Sequence, residues 1–405
     1  MRLQNGKKDL QSTLSWFSES FSRPSFKVFS SFIISFIQLG KEIHTSSMVK
    51  SLTSPFLHRS LSSFTRFLGQ NRWAIEEVAE RSLEQFFRVL GITTQSVLFY
   101  IIDDTLIHKT GNHIPGCGWH KDHAQNMANV FGHQWVLSAL LYKDFLFPLW
   151  ANLYHPKGTK GCGRFQTKVA MVKKILGQLQ LPIPCKVYLL ADAWYWSKDL
   201  AQACRQQGYH MISPLKSNAT LIMEGQSVPV KKLAAQKVLY RESSLPLYGK
   251  NKTLKIKKIL GEKKGLGKVA LVIVKEHRKK PQFLISTNTH LSALDVVRYY
   301  AKRWKIEQMI KDLKQRLGFG DYQTRSLQAI VRHTALSLIA YFVLTILKII
   351  QWLNDKQTAL NLSIRFLAFQ VRKFVLIELV TVTLKTMKIS FKQNILDSYL
   401  EQLCV

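Results

Sequence analysis

The residues best suited to chemistry lie in the segment 300–314, which reads Tyr-Ala-Lys-Arg-Trp-Lys-Ile-Glu-Gln-Met-Ile-Lys-Asp-Leu-Lys. If this segment is one helix, Tyr300, Arg303 and Lys314 all project within about 40° of Glu307. One carboxylate is then held in a row with a phenol and two cations, an arrangement that suits a metal ion beside a phosphate group. A solvated helix face with ordinary spaced ion pairs has the same pattern, and this alternative stays open here.

Two further carboxylates follow apolar runs that are typical of buried strands. Asp103 comes directly after the run 97–102, and Asp192 comes directly after the run 186–191. Continuous apolar runs predict strands that are buried on both faces, and ligands of open α/β sheets bind at the carboxyl ends of such strands. If the two strands are neighbours, both aspartates converge at one sheet edge. A turn or a helix cap is the ordinary alternative for an aspartate in this position.

Asp103, Asp192 and Glu307 together supply three carboxylates, which is enough to hold two divalent cations. Two such ions activate an attacking oxygen and stabilise a leaving oxygen in phosphoryl transfer. Hard carboxylate oxygens suit Mg²⁺, which binds substrate phosphates and retains several waters. The three residues therefore form the candidate catalytic and metal-binding set.

The charge of the chain indicates a polyanionic partner. Its 405 residues include 58 Lys and Arg against 25 Asp and Glu, a formal net charge of +33. An excess of this size attracts nucleic acid above all, with an anionic membrane surface as the weaker alternative. A hydrophobic content of 46% excludes a disordered basic tail protein.

No segment is predicted to span a membrane. The longest uncharged apolar run, 334–347, is shorter than the roughly 20 residues that a bilayer requires. The five cysteines are odd in number and widely scattered, as expected for reduced thiols in a cytosol. We therefore expect a cytoplasmic, nucleoid-associated protein without a membrane partner.

The spacing of apolar residues changes several times along the chain. Helical spacing precedes residue 96, and strands then alternate with helices, which indicates an α/β sheet with parallel members. Thr167, Ser197 and Ser292 are predicted to cap helices, and the apolar stretches 134–142 and 144–150, broken by Lys143-Asp144, predict a hairpin. Between Lys250 and Lys280 there are 12 Lys and Arg against 2 Glu, within short strands. The predicted units are an unassigned segment 1–49, an N-terminal helical unit 50–95 that could bind DNA, a first catalytic part 96–217, a β-rich basic insertion 218–290, a catalytic helix 291–326 and C-terminal helices 327–405.

Three motifs in this order resemble the DDE transposases of insertion sequences. They are Ile102-Asp103-Asp104-Thr105, the segment 190–195 (Leu-Ala-Asp-Ala-Trp-Tyr), and the helix with Tyr300, Arg303, Glu307 and Lys314. All three spacings of the last motif match the Y-R-E-K group, the insertion-sequence-four type. The resemblance covers roughly residues 96–345.

The resemblance implies an α/β fold, namely a ribonuclease-H-like mixed sheet with flanking helices and a β-rich insertion. It implies a Mg²⁺-dependent enzyme with two metal ions, for which Mn²⁺ substitutes, that nicks the element's terminal inverted repeats and joins them to target DNA. It also implies a homodimer, because two ends are cut together. Its metal ligands would be Asp103, Asp192 and Glu307. Tyr300, Arg303 and Lys314 would contact phosphates, and Trp304 would stack on a displaced base or else pack as a helix tryptophan.

Further alternatives stay open at the sequence level. Asp104 stands beside Asp103, although the family pattern of an aspartate followed two positions on by threonine selects Asp103. Cys117, His120, His123 and Cys162 could bind zinc, but the glycines beside them fit turns equally well. A catalytically inactive or domesticated DNA-binding protein derived from a transposase would retain the same motifs. Another ribonuclease-H-like nuclease, such as a junction resolvase, is the second functional alternative, and strand transfer of a 3′-hydroxyl end would exclude it.

Overall fold

The computed structural model describes residues 6–50, 59–111, 113–122, 128–159, 163–236, 240–356 and 362–387. Its N-terminal part, which the sequence patterns left unassigned as far as residue 49, is helical. The helices before the sheet are α1 (Gly6–Ser15), a short 3-10 turn (Ser18–Ser20), α2 (Arg23–Leu39), α3 (Thr45–Lys50), α4 (Leu61–Gly69) and α5 (Ile75–Leu90).

One mixed sheet of twelve strands organises the described residues. Its spatial order is β2-β3-β1-β5-β6-β12-β11-β10-β7-β8, with β4 paired to β3 and β9 paired to β10. The strands are β1 (Val97–His108), β2 (Gly118–Asp122), β3 (Ala128–Tyr142), β4 (Phe145–Tyr154), β5 (Lys186–Leu190), β6 (His210–Pro214), β7 (Thr220–Met223), β8 (Gln226–Pro229), β9 (Arg241–Leu247), β10 (Lys250–Lys263), β11 (Gly267–Glu276) and β12 (Gln282–Ser286).

The parallel members lie where the apolar runs predicted them. β1 pairs with β5 and β5 pairs with β6, both in parallel; one helix directly precedes β5 and another connects β5 with β6. The helices are α6 (Lys168–Gln178), capped by the predicted Thr167, and α7 (Lys198–Gln206), capped by Ser197. A mixed sheet with flanking helices confirms the predicted ribonuclease-H-like fold class.

The strands between residues 218 and 290 extend the same sheet. β12 pairs with β6, and β11 and β10 follow it outward. A short helix, α8 (Val230–Ala235), packs on β8. The basic insertion is therefore continuous with the sheet that carries the two aspartates.

Two local predictions are wrong. β1 does not end before Asp103 but continues to His108, because it stays paired with β3 over that length. The helix of segment 300–314 is also not continuous, because it is broken at Lys302 and Arg303. The chain forms α9 (Ala293–Ala301), capped by Ser292, and then α10 (Trp304–Arg316).

The core is centred on α11 (Leu327–Asn354), which packs against β4, α1, α2, α4 and α5. By length and composition alone this helix could cross a membrane. It has 28 residues, and so extends beyond the apolar run 334–347, which by itself is too short to span a bilayer. However, 78% of its most apolar window is buried inside the protein. The final described helix, α12 (Ile364–Thr386), contacts α2 and α11. Burial of this kind accounts for the apolar composition of α11 without a membrane.

Candidate active site

The register of β1 and β5 places Asp103 and Asp192 at the same level. The last parallel pair joins Ile101 to Leu190, and each aspartate lies two residues beyond its member of that pair. β5 ends there, whereas β1 continues beside β3. Both carboxylates therefore stand where the parallel part of the sheet stops, which is the ligand edge of an α/β sheet.

Asp103 is a largely buried carboxylate. Its Oδ2 accepts a hydrogen bond from Arg303 Nη1 at 2.8 Å, and its Oδ1 accepts one from the Asp104 backbone N–H at 3.0 Å. Burial raises the pKa of Asp103 to about 6, and the neighbouring Arg303 opposes that rise. A carboxylate in this environment is stabilised by a nearby cation.

The guanidinium of Arg303 connects Asp103 with the third carboxylate. Arg303 Nη2 donates to Glu307 Oε1, one turn later in α10, while Nη1 holds Asp103. Burial lowers the pKa of Arg303, but Asp103, Tyr300 and Glu307 raise it above its usual value. Arg303 is thus firmly charged, and it stands between the first and third predicted ligands.

Tyr300 brings Asp192 into the same group. Burial raises the pKa of the Tyr300 phenol to about 12, with Arg303 opposing the rise and Asp192 adding to it. Asp192 itself is exposed, and its Oδ1 accepts a hydrogen bond from the Ala193 backbone N–H at 2.6 Å. Burial raises the pKa of Tyr195, which follows in the same loop, and the charges of Asp104, Asp103 and Asp192 raise it further. The break between α9 and α10 therefore does not separate Tyr300 from the carboxylates.

Lys314 and Trp304 lie toward opposite ends of α10. Lys314 Nζ donates to the Leu106 carbonyl of β1 at 2.8 Å, and burial lowers the pKa of Lys314. Trp304 is 46% exposed, so it is not the packed helix tryptophan of the alternative interpretation. Its ring meets Tyr248 edge to face, with 6.1 Å between the ring centroids.

Asp104 has a different set of partners from Asp103. Its Oδ2 accepts from Lys168 Nζ at 2.7 Å and from Gln134 Nε2 at 2.6 Å, and its Oδ1 accepts from Tyr195 O–H at 3.1 Å. Neighbouring residues of a strand point to opposite faces, so Asp104 faces α6 while Asp103 faces α10. Asp103 shares its Arg303 partner with Glu307. Among the described residues, the side chains that donate to Asp104 make no ion pair or hydrogen bond to the carboxylate of Asp192 or Glu307. This difference favours Asp103 as the ligand that acts with Glu307.

The donor chemistry of Asp103, Asp192 and Glu307 fits hard divalent cations, because all three offer carboxylate oxygens. In this conformation, however, the described residues contain no group of three His, Cys, Asp or Glu side chains placed to hold a metal ion. Arg303 supplies the positive charge between Asp103 and Glu307 instead. A metal ion at these ligands requires that the guanidinium move.

Three neighbours of the site were missed from the sequence. Tyr195 and Lys168 donate hydrogen bonds to Asp104. Tyr248 lies in the turn between β9 and β10, and its ring meets the Trp304 ring edge to face. The sequence does offer a signal for the turn, since Tyr248-Gly249 separates two β-type runs; both residues have positive φ, of 55° and 75°. Neither the sequence spacing of Lys168 nor that of Tyr195 indicates a contact with Asp104.

The zinc alternative is only partly covered by the structure, because His123 and Cys162 lie outside the described residues. Cys117 Sγ lies 3.3 Å from His133 Nε2, and His133 also approaches the Pro115 carbonyl at 2.9 Å. His120 is buried on β2. These contacts give Cys117 a place in a local hydrogen-bond network.

Comparison with known proteins agrees with this geometry. The family model described as the transposase DDE domain matches residues 98–343, which is more than half of the chain and includes Asp103, Asp192 and Glu307. No curated protein matches the chain. The matched region begins in β1 and ends in α11, so it contains the sheet from the second residue of β1 onward and both helices that carry the site. The chain therefore belongs to the DDE transposase family.

Proposed function

We propose that this transposase is of the Y-R-E-K group and that it cleaves and joins DNA at the ends of an insertion sequence. The observation that supports this most strongly is the contact of Arg303 with both Asp103 and Glu307, because it unites two motifs 200 residues apart. The register of β1 with β5 adds Asp192 at the same level.

Asp103, Asp192 and Glu307 would hold two Mg²⁺ ions, or Mn²⁺ in their place. When bound, these ions would activate the attacking oxygen and stabilise the leaving oxygen. Asp103 is held in β1 by its pairing with β3, and Glu307 is held by α10, so two of the three ligands come from rigid elements, while Asp192 lies two residues beyond the end of β5.

Tyr300, Arg303 and Lys314 would contact the phosphates of the DNA end, and Trp304 would stack on an unpaired base. Arg303 can bind a phosphate in a bidentate manner once it leaves Asp103 and Glu307. Lys314, partly buried beside the Leu106 carbonyl, would bind as a point charge. The exposed ring of Trp304 is open to a base face.

The proposed reaction has two displacements. First, the oxygen of a water molecule loses a proton and bonds to the phosphorus at the element end, while the bond from phosphorus to the 3′ oxygen breaks and that oxygen gains a proton to become a 3′-hydroxyl. Then that hydroxyl attacks a phosphorus of target DNA and loses its proton, while a target 3′ oxygen leaves and gains one.

Two ends must be joined together, so the active species would be a homodimer on paired terminal inverted repeats. A net charge of +33 would keep the protein on chromosomal DNA between events.

A nicking assay on DNA that carries the inverted repeats bordering the gene tests this proposal. We expect Mg²⁺-dependent nicks by the wild type and none by Asp192→Asn or Glu307→Gln, with DNA affinity nearly unchanged in both variants. Asp199→Asn, an exposed change on α7, is the matched control and should nick normally. Wild-type protein that binds DNA but never nicks with Mg²⁺ or Mn²⁺ would instead indicate an inactive or domesticated DNA-binding protein.

A further inference from the structure

A cleft of about 660 Å³ runs along α10, between the β3–β4 turn, α11 and the first turn of α12. We call it the α10 cleft. Trp304 and Glu307 line one end of it, and Arg316 and Arg365 also line it. It therefore begins at the candidate active site and leads away from it along the helix.

Positive charge predominates in the α10 cleft. Its lining includes five basic and three acidic residues, namely Lys305, Lys311, Arg316, Lys348 and Arg365 with Asp144, Glu307 and Asp312. Two of the basic residues are neutralised, because Lys305 pairs with Asp144 at 3.5 Å and Arg316 pairs with Asp312 at 3.0 Å. The acid Glu307 is neutralised by Arg303 from outside the cleft.

Three cations remain without an ion pair in the described part of the chain: Lys311, Lys348 and Arg365. Lys311 and Arg365 are exposed, whereas Lys348 is half-buried between α11 and its neighbours. Burial lowers the pKa of Lys348, the adjacent Lys305 lowers it further, and Asp144 opposes the shift. An anion that enters the α10 cleft would further stabilise the charged form of this partly desolvated ammonium.

The dimensions of the α10 cleft suit a chain of phosphates. Lys305 and Arg316 are eleven residues apart on one helix, which corresponds to about 16 Å along its axis. One DNA strand carries a phosphate about every 3.4 Å of helix axis, so this length covers about five nucleotides. A single small anion would occupy only part of this length.

The other large groove is electrostatically different. It has a volume of about 800 Å³ beyond the end of β1, and its Lys and Arg residues, Lys109 and Arg325, are balanced by Glu42 and Asp321. Lys109 is also occupied, because its Nζ donates to the Tyr322 carbonyl at 3.0 Å. That groove offers no surplus of charge to a polyanion.

We propose that the α10 cleft binds the phosphate backbone of DNA that leaves the active site. The inference rests on the proposed function in taking DNA as the substrate. The DNA in the α10 cleft is either the flank beyond the element end or the target, and both offer the same phosphodiester chemistry. α10 would then contact DNA twice, through the Arg303–Lys314 side and through the α10 cleft.

Binding measured in EDTA by fluorescence anisotropy tests this proposal without catalysis. The variants are Lys311→Gln/Lys348→Gln, and Lys311→Gln/Arg365→Gln in which both positions are exposed, so that folding is not at risk. Lys173→Gln/Lys174→Gln, two exposed positions on α6, removes the same charge elsewhere. The probes are a duplex with the inverted repeat and its flank, the same duplex without the flank, and an unrelated duplex captured as target.

We expect about eightfold weaker binding per lost phosphate contact at about 0.1 M salt, and a salt slope shallower by about 0.9 per contact. If only the affinity for the flanked duplex falls, the α10 cleft binds flanking DNA. If only the affinity for the unrelated duplex falls, the α10 cleft binds target DNA. Variants that bind every DNA probe like the control would overturn the proposal, as would lost affinity for polyglutamate alone, which indicates an acidic protein partner. A protein that shows the expected loss but never nicks would refute the proposed reaction and leave this site standing.

Discussion

Arg303 and Asp103 are joined by a hydrogen-bonded ion pair of 2.8 Å between residues that are 200 positions apart in the chain. The same guanidinium also reaches Glu307, so one cation serves two of the three predicted metal ligands. In the free protein, Arg303 therefore occupies the electrostatic position that a divalent ion would take. Binding of a DNA phosphate to Arg303 would release both carboxylates at the moment the substrate arrives.

Removal of Arg303 should strengthen metal binding in the absence of DNA. We expect Arg303→Gln to bind Mn²⁺ at least about tenfold more tightly than the wild type, because a unit charge at about 4 Å contributes several kcal/mol at an effective dielectric constant of 20. Electron paramagnetic resonance titration measures free Mn²⁺ directly. Arg298→Gln, which removes an exposed arginine paired with Asp295, is the control. An unchanged Mn²⁺ affinity in Arg303→Gln would contradict the competition.

Substitutions of Asp103 and of Asp104 should have different effects, on nicking in the first case and on stability in the second. We expect Asp103→Asn to abolish nicking with little loss of stability. We expect Asp104→Ala to lower the free energy of unfolding by about 2 kcal/mol, because Lys168, Gln134 and Tyr195 lose their common acceptor. Denaturant unfolding and nicking assays on both variants separate the two roles. If Asp103→Asn nicks normally and a fully folded Asp104→Asn does not, Asp104 is the ligand.

The two exposed aromatics beside the site should favour DNA with an unpaired base. We expect Trp304→Ala to weaken binding to a duplex with one unpaired nucleotide at the cleavage position by about 1–3 kcal/mol, with less effect on the intact duplex. Tyr248→Ala should have a smaller effect in the same direction, since it supports the Trp304 ring. Trp119→Ala, a 67% exposed tryptophan on β2, serves as the control. Equal losses for both DNA probes would argue against base stacking.

Two buried histidines should make the fold sensitive to acid. Burial lowers the pKa of both His133 and His333 to about 4, whereas an unfolded histidine titrates near 6.5. Below about pH 6.5 the unfolded chain therefore binds protons that the folded chain does not, and stability falls as the pH falls toward 4. From about pH 7.5 to about pH 5.5, the two histidines should together cost about 3 kcal/mol.

Denaturant unfolding at both pH values checks this expectation. His333→Gln keeps a donor for the Gly318 carbonyl, which His333 Nε2 meets at 3.1 Å, and should remove about half of the histidine contribution. His277→Gln, an exposed change after β11, should leave the pH dependence as in the wild type. The same pH dependence in wild type and His333→Gln would show that His333 does not contribute.

Local chemistry was well predicted from the sequence because it depends on neighbours along the chain. Thr167, Ser197 and Ser292 cap the helices that follow them, since a side-chain oxygen reaches a backbone N–H three residues on. The hairpin around Lys143 and Asp144 also forms as predicted, with Tyr142 opposite Phe145. Apolar runs identified β1 and β5 because a strand buried on both faces needs no polar alternation.

Other features depend on contacts between distant segments. β1 runs on through two aspartates because β3 continues to pair with it, which no property of the segment 103–108 indicates. The break at Lys302–Arg303 lets the Arg303 side chain reach β1 as well as α10. The insertion could not be predicted to continue the sheet, since β12 pairs with β6 across about 70 residues.

For this protein, then, residue type and spacing alone determined the family motifs, the charge and the alternation of strands and helices after residue 96. Only the tertiary structure decided that Arg303 lies between Asp103 and Glu307, that Asp104 is engaged by the fold, and that a basic cleft continues from Glu307. The physical reason is that helix caps and apolar periodicity act over a few residues. Electrostatic pairing and burial, in contrast, depend on distances in space, which sequence separation does not set.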